Sequence, residues 1–464
     1  MTLNASDRPS SQSPDAPLPN PTPFTRWHLL TVLLLALGYA GYYFCRSDLS
    51  VVLPLLIKDL GVHGIPANVA QVRLGFIASA GVLAYALGKF VSGSLADIFG
   101  GRNNFLAGMA GAVFFTMLFA LGGGFPIFTV AWIGNRILQS TGWVGLVKVS
   151  SRWFSYSIYG TVMALVSLSY LFGDAASREI MALLLGAGMG WRGIFFTGAG
   201  LLFLLFAANL VLLRETPQER GLPAPITNPL NVYADPKADT LTEKPGLGAI
   251  LRPLLSSKFF WMVCGLSLGT TLLRETFNLW TPTYFSEYVG LSNADAASRS
   301  ALFPLLGGVS VLVAGFMSDR LGLNGRSLVL FGGLASATLC LFALAQVPGH
   351  GSPHANPWIP VALVALVGFL LLGPYSYLAG AMSMDFGGDK GAATAAGIID
   401  GVGYLAGVLS GDTIARITVK YGWRNAFVAL AVTCLLTAVV ALILAISQRR
   451  EAQQRLRELG TANG

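Results

Sequence analysis

Charge is scarce in this 464-residue chain. Asp, Glu, Lys and Arg make up only 11% of it, against roughly 25% in an ordinary soluble domain. A soluble protein this poor in charge could not wet its own surface, so an ordinary globular fold in water is excluded. With hydrophobic residues at 54%, the natural solvent for most of the chain is lipid. Cysteine is scarce too: Cys45, Cys264, Cys340 and Cys434 all lie in apolar stretches without C-x-x-C spacing, which argues against a disulfide framework or a zinc site. No G-x-x-x-x-G-K-[ST] phosphate loop occurs, so ATP-driven pumping has no support. The four histidines, His28, His63, His350 and His354, lie at segment ends or in loops with no nucleophile partner. Enzymatic chemistry, a metal and a cofactor are therefore not expected. The formal charge of +8 forms no dense basic stripe, which removes the nucleic-acid reading. Many of the basic residues instead fall in short gaps between apolar runs, where Lys and Arg hold loops on the cytoplasmic side.

What is present is a succession of long apolar runs. A helix needs about 20 largely apolar residues to cross the hydrocarbon core. By that rule twelve spans are expected, near 27–57, 72–99, 105–124, 126–150, 158–185, 192–213, 258–286, 299–318, 327–347, 358–384, 391–418 and 423–446. The N-terminal stretch, 1–25, is rich in Pro, Ser, Asn and Asp and reads as a disordered cytoplasmic tail. The run from Trp27 is too long for a signal-peptide core. The Pro-rich stretch 214–257 reads as a cytoplasmic linker between a first six-helix half, 26–213, and a second, 258–446, with a cytoplasmic tail over 447–464. With the N-terminus inside, 17 of the 30 basic residues fall on the cytoplasmic side and eight opposite. Both termini are therefore expected inside, in a bacterial inner membrane.

Internal repeats support the two halves. Gly93-Ser-Leu-Ala-Asp97 is echoed by Gly315-Phe-Met-Ser-Asp319, Gly160-Thr-Val-Met-Ala by Gly391-Ala-Ala-Thr-Ala, and Trp191-Arg-Gly-Ile-Phe195 by Trp423-Arg-Asn-Ala-Phe427, at offsets of 222, 231 and 232. The chain reads as a duplicated six-helix unit whose binding site lies between the halves. Asp97 can cap a neighbouring helix, with Arg102 as counter-charge. The string G-x-x-x-D-x-x-G-G-R resembles the loop signature of the major facilitator superfamily, which latches the cytoplasmic side. Gly93, Asp97, Arg102 and their counterparts Gly315, Asp319 and Arg320 are accordingly assigned to gating.

Five cations inside the spans are singled out: Arg46, Lys89, Arg136, Lys148 and Arg274. Each costs about 2.5–3.5 kcal/mol at a helix centre on insertion scales. Lys148, near a cytoplasmic end, can snorkel. Arg46 and Arg274 occupy corresponding places in the first helix of each half, at an offset of 228. Facing one cavity, they would make a two-pronged anion clamp, because the planar guanidinium fork gives paired, charge-assisted hydrogen bonds to phosphate. The alternative is neutralisation by an acid such as Asp48 or Glu275; consecutive helical residues point about 100° apart, so Glu275 is not expected on the face of Arg274. Tyr39, Tyr42 and Tyr43 share a helix face with Arg46, and Thr270, Thr271 and Asn278 flank Arg274, all consistent with a polar cavity.

Tyr42-Tyr-Phe-Cys-Arg46, Gly88-Lys-Phe-Val-Ser-Gly93, Gly142-Trp143, Leu272-Leu-Arg274 with Trp280-Thr-Pro-Thr-Tyr284, and Thr394-Ala-Ala-Gly397 followed by Gly403-Tyr404 occur in that order. Together they resemble the organophosphate:inorganic phosphate antiporter family, which includes glycerol-3-phosphate and hexose-6-phosphate transporters. The resemblance implies an all-α membrane protein of the major facilitator fold, monomeric, that exchanges a small organic phosphate for inorganic phosphate. It also implies a phosphate site made by Arg46 and Arg274, lined by Lys89, with Tyr39, Tyr42 and Tyr43 nearby. Departures from the pattern are Ser47, where many members have a second basic residue, Ser169 in place of a histidine and Thr271 in place of a tyrosine. Asp48 and Asp400 could neutralise arginines, bind a proton or meet a cationic part of the substrate. Arg136, in Arg-Ile-Leu-Gln-Ser-Thr-Gly142, is similar to a fourth-helix pattern of proton-linked members, the alternative being an ion pair with an acid such as Asp48. Two other functions stay open at this point: proton-coupled transport of another small organic anion, and a transporter-like sugar-phosphate sensor.

Overall fold

Lipid offers no water to satisfy backbone N–H and C=O groups, so a spanning segment must close its hydrogen bonds within itself. The computed structural model describes residues 24–154, 156–225, 252, 254–321, 325–379, 382, 395 and 397–462, and its regular elements are helical, with no strand among the described residues. The expected N-terminal tail up to residue 23 and most of the expected linker, 226–251, lie outside the described residues. The helices are α1 (Arg26–Tyr42), α2 (Phe44–Val62), α3 (Ala67–Phe99), α4 (Gly101–Leu121), α5 (Phe125–Trp153), α6 (Tyr156–Gly186), α7 (Trp191–Leu212), α8 (Lys258–Thr283), α9 (Asn293–Ser300), α10 (Leu302–Arg320), α11 (Gly325–Gln346) and α12 (Trp358–Tyr375). A helical stretch over 397–407 and α13 (Asp412–Ala462) follow.

Among the described residues, eight helical segments are long and apolar enough to cross a membrane. The expected fourth, fifth and seventh spans, α5, α6 and α8, are 29, 31 and 26 residues long but are not among those eight. They carry Arg136, the pair Asp174 and Arg178, and the pair Arg274 and Glu275, all of which line the central cavity. The expected eleventh and twelfth spans run together in one segment, Gly397–Arg450, turned at Gly422, whose φ of 81° suits a residue without Cβ.

Three boundaries differ from expectation. The first span is broken where α1 meets α2, with Cys45 at φ −98° and ψ 16°. The helix of the tenth ends at Tyr375, just after Pro374, and residues 376–379 are turns, while most of its expected remainder to 384 lies outside the described residues. The last helix runs on to Ala462, past the expected 446.

Close packing rests on small residues and aromatic clusters. A Cβ on Gly145 of α5 would lie 2.6 Å from the Phe105 backbone nitrogen and 2.7 Å from the Gly101 carbonyl of α4, so these two helices touch backbone to backbone, as small residues permit in membranes. The two Trp-x-x-x-Phe motifs each enter an aromatic cluster. Phe195 stacks on Phe119 at 4.6 Å beside Trp191, and Phe427 meets Tyr284 at 4.8 Å beside Trp423.

Replacing Gly145 by Val should cost about 1–3 kcal/mol by overpacking, read as a lower melting temperature of the detergent-solubilised protein. Gly332→Ala, with nothing within 4 Å of its Cβ, should leave the melting temperature unchanged.

Candidate functional site

At the break in the first span a side chain of α5 reaches the backbone, and the site grows from that. Gln139 of α5 donates Nε2 to the Cys45 carbonyl at 2.7 Å, and its Oε1 accepts from Nε of Arg46 at 2.9 Å. Asn135, one helical turn away, accepts from Gln139 at 2.6 Å and itself donates to Thr116 at 2.8 Å. This buried chain holds the Arg46 guanidinium, which also donates to the Tyr43 hydroxyl at 3.3 Å and lies 4.7 Å from the centroid of the Tyr85 ring. Its Nη2 has no hydrogen-bond partner among the described residues.

Arg274 of α8 reaches the same cavity from the other side of the molecule. Its Nη1 donates to the Tyr375 hydroxyl at 2.8 Å and its Nη2 to the Tyr404 hydroxyl at 3.1 Å. Nη2 also pairs with Glu275 at 2.9 Å, which corrects the expectation from helix geometry. Adjacent Cα–Cβ bonds do point apart, but two long side chains bend their heads together beyond the helix surface. Arg46 differs: no described carboxylate pairs with it. Asp48 turns its Oδ1 to the Leu49 amide at 2.7 Å, while its Oδ2 has no partner.

Arg46 and Arg274 line one cavity, with about 870 Å³ of empty space counting its opening to solvent, together with Tyr43, Arg136 and Asn278. Of the other expected site residues, Tyr42 is 1% exposed and donates to the Phe105 carbonyl at 2.6 Å. Tyr39 packs its ring against Tyr42, Tyr43 and Trp143. Both belong to α1, ahead of the break, which turns them toward α4 and α5 and away from the cavity lining. Thr271 is wholly buried, and a Cβ on Gly403 would lie 2.6 Å from its Oγ1, so it is a packing residue and does not line the cavity. Lys89 does not line this cavity either. It pairs with Asp400 at 2.6 Å and sits 5.2 and 5.0 Å from the ring centroids of Tyr85 and Tyr404. Asp400 thus neutralises a lysine, where the sequence left open an arginine, a proton or a substrate cation. Arg136 makes no ion pair with Asp48 or any other described acid; its guanidinium lies 5.1 Å from the centroid of Tyr85 and 5.8 Å from that of Trp132.

Sequence reasoning passed over another cation deep inside a span. Arg178 of α6 is 2% exposed and pairs with Asp174 at 3.0 Å. It donates to Ser300 at 3.0 Å and to the Asn278 carbonyl at 2.9 Å, and Ser47 donates to Asp174 at 2.5 Å. Ser50 adds a bond to the Asn278 carbonyl at 2.7 Å. The network ties α2 and α6 to α8 and α9 at the end of the molecule where α6 and α8 finish. The signal in the sequence was the four-residue spacing from Asp174, which puts both groups on one helix face. Tyr85, Gln139 and Tyr375 were missed as well, because nothing in the sequence near them marks them out.

Among the expected gating residues, the side chains of Gly93, Asp97 and Asp319 lie outside the described residues. Arg102 gives its guanidinium to the carbonyls of Leu213 and Leu210 at 2.7 and 2.6 Å, where α7 ends. Glu215 accepts from the Gly101 and Arg102 amides at 2.9 and 2.6 Å and pairs with Arg152 at 2.5 Å. An acid at the start of α4 meets the positive end of that helix. No heavy atom lies within 4 Å of a Cβ built on Gly315, and Arg320 lies exposed over the Phe316 ring at 4.2 Å.

Comparison with known proteins places these features in context. The profile described as Major Facilitator Superfamily matches residues 35–411. The chain is 28% identical over 448 residues to a probable hexose phosphate transport protein of Chlamydia trachomatis, covering 93% of each chain. It is 26% identical over 442 residues to the glycerol-3-phosphate transporter of Bacillus subtilis, covering 93% of this chain and 95% of that one. In fold it is similar to a crystal structure of a bacterial homologue of the human lysosomal transporter Spinster, inward-facing and unoccupied, with a TM-score of 0.71 at 14% identity, covering 92% of this chain and 99% of that one.

Arg178→Gln should strand the Asp174 carboxylate, and breaking a buried pair from one side costs about 3–5 kcal/mol. The melting temperature should fall steeply, and adding Asp174→Asn should recover a large part of the loss. Equal losses in the single and double variants would show that the stranded carboxylate is not what destabilises the single one.

Proposed function

The chain belongs to the major facilitator superfamily, and from that premise we propose that it exchanges an organic phosphate ester for inorganic phosphate by alternating access. It is a multi-pass membrane protein with transporters, not enzymes, among its relatives. The observation that carries the reading is that Arg46 and Arg274, far apart in the chain, line one cavity. The hexose phosphate and glycerol-3-phosphate transporters to which it is similar agree with a phosphate ester as substrate. In this reading both termini are cytoplasmic, twelve spans form two six-helix halves and the monomer is the working unit.

The chemistry follows from the two arginines being held differently. Arg46 has one guanidinium nitrogen with no acceptor, and a buried charged donor left unpaired is costly. Arg274 shares its charge with Glu275 and two tyrosine hydroxyls. A phosphate between them supplies the missing acceptor on one side and competes with Glu275 on the other. It thereby draws α2 and α8 together and favours the state in which the cavity closes on it. The empty carrier has no such anion to offset Arg46 while it changes state. Reorientation is then slow unless a phosphate group is aboard, which is the requirement for exchange.

Asp48, 0% exposed with an unpartnered Oδ2, favours a second reading, proton-coupled transport of another small anion. Uptake that collapses with a proton uncoupler and ignores phosphate on the far side would select it.

The test is counterflow in proteoliposomes loaded with phosphate. Labelled phosphate should enter and be competed by one class of phosphate ester. Arg46→Lys and Arg274→Lys keep the charge but lose the fork. A bond to a charged group is worth about 1.5–3 kcal/mol, so each variant should lose at least about tenfold in exchange at about 1.4 kcal/mol per decade. Near wild-type exchange in both would remove the arginine clamp.

A further inference from the structure

Arg136 is the cavity cation that neither the phosphate clamp nor any ion pair uses. It is 6% exposed, its Nε has no hydrogen-bond partner, and no described acid pairs with it. The cavity's two carboxylates are both engaged elsewhere, Asp174 with Arg178 and Glu275 with Arg274. Its position is nonetheless built. The Tyr85 and Trp132 rings hold the guanidinium as cation–π partners. The helix facing it leaves the room with Gly81, where a Cβ would meet the Trp132 Nε1 at 2.5 Å and the Arg136 Cγ at 3.0 Å. Arg46 and Arg136 both line the one cavity and lie 4.7 and 5.1 Å from the centroid of the same Tyr85 ring, so a single ligand in that cavity has both guanidinium groups beside it.

We propose that Arg136 reads a second anionic group on the substrate, and that the preferred organic phosphate is one that also bears a carboxylate, a phosphorylated hydroxy acid. The proposal rests on the phosphate-exchange reading and deepens it. A buried cation without an ion-pair partner is costly; Asp174 and Glu275 are engaged with other arginines and Asp48 makes no ion pair with Arg136, so an anionic group on the ligand would give this guanidinium a direct partner. Hydroxyl groups of a neutral sugar or glycerol tail would offer acceptors to this guanidinium but no charge. A carboxylate offers two oxygens in the geometry that matches the fork. With the phosphate group between Arg46 and Arg274, a short carbon chain carries its carboxylate toward Arg136 and Trp132, which line the same cavity. In this role Arg136 is a specificity-determining residue.

The experiment compares two esters on one three-carbon skeleton, 3-phosphoglycerate and glycerol 3-phosphate, which differ by a carboxylate in place of a hydroxymethyl group. Each competes with labelled phosphate uptake into phosphate-loaded proteoliposomes of the full chain. The wild type should prefer the carboxylated ester by at least about tenfold in the concentration needed for half-inhibition. In Arg136→Gln that preference ratio should fall by about tenfold, whatever happens to the absolute rates. Equal competition by the two esters in the wild type would overturn the proposal and leave phosphate exchange standing. So would a ratio unchanged in the variant. No uptake of labelled phosphate at all would overturn both readings together. Where Arg136→Gln does not assemble, thermal stabilisation of the purified wild type decides. The carboxylated ester should raise the melting temperature at lower concentration than its partner, and the reverse order would refute the assignment.

Discussion

A cation in a lipid-embedded bundle must be compensated, and the interior of this molecule is arranged around how each of its central cations is. Arg178 has a carboxylate on its own helix, and its remaining donors tie α6 to α8 and α9. Lys89 has Asp400, from the far part of the chain. Arg274 has Glu275 and two tyrosine hydroxyls. Arg46 and Arg136 have amide, hydroxyl and aromatic partners but no acid. Protein groups therefore satisfy the cations that bind the two parts of the chain together, and leave unsatisfied those that face the cavity from α2 and α5. That division separates structure from site more sharply than burial does, since Arg178 and Arg136 are both almost fully enclosed.

The break in the first span belongs to the same arrangement. At φ −98° and ψ 16° the backbone leaves helical geometry at Cys45, and Gln139 bonds to the carbonyl of that residue while also holding Arg46. In lipid a backbone group left without a partner costs several kcal/mol, and α5 supplies a polar side chain at this depth. Asn135 then orients Gln139. The position of Arg46 depends on two amide side chains of one helix and on a backbone defect in another.

Much of this was legible in the sequence. Apolar run lengths marked the membrane segments, and the paired arginines marked the cavity, because mid-span charge is rare and its spacing can be compared across the chain. Several features were hidden for physical reasons. A helix break without proline or glycine at the break leaves no compositional mark, so Tyr39 and Tyr42 were read as facing the site when they pack beside it. Side-chain length defeats the rule that adjacent helical residues diverge, hence the Arg274–Glu275 pair. Pairings such as Lys89 with Asp400 depend on how distant helices are placed together, which periodicity within either helix does not express. Tyr85 was hidden because a tyrosine in a span is unremarkable until cations are found around it.

Tyr85 also suggests how the cavity and the ties between helices communicate. Its ring centroid lies 4.7, 5.2 and 5.1 Å from Arg46, Lys89 and Arg136 in turn, and it contacts Tyr404, whose hydroxyl accepts from Arg274. Each cation–π contact is worth about 0.5–2 kcal/mol depending on desolvation, so none alone fixes the arrangement. Together they make the ring a shared partner, and a cation drawn away by an anion changes the field felt by the others. An anion between Arg46 and Arg274 would pull charge from the faces of Tyr85 and Tyr404 and leave Lys89 more dependent on Asp400. That pair spans the two parts of the chain and is only a quarter exposed on each side. In the proposed exchange, occupancy of the cavity would thus bear on a tie outside it through two aromatic rings that both groups of cations share.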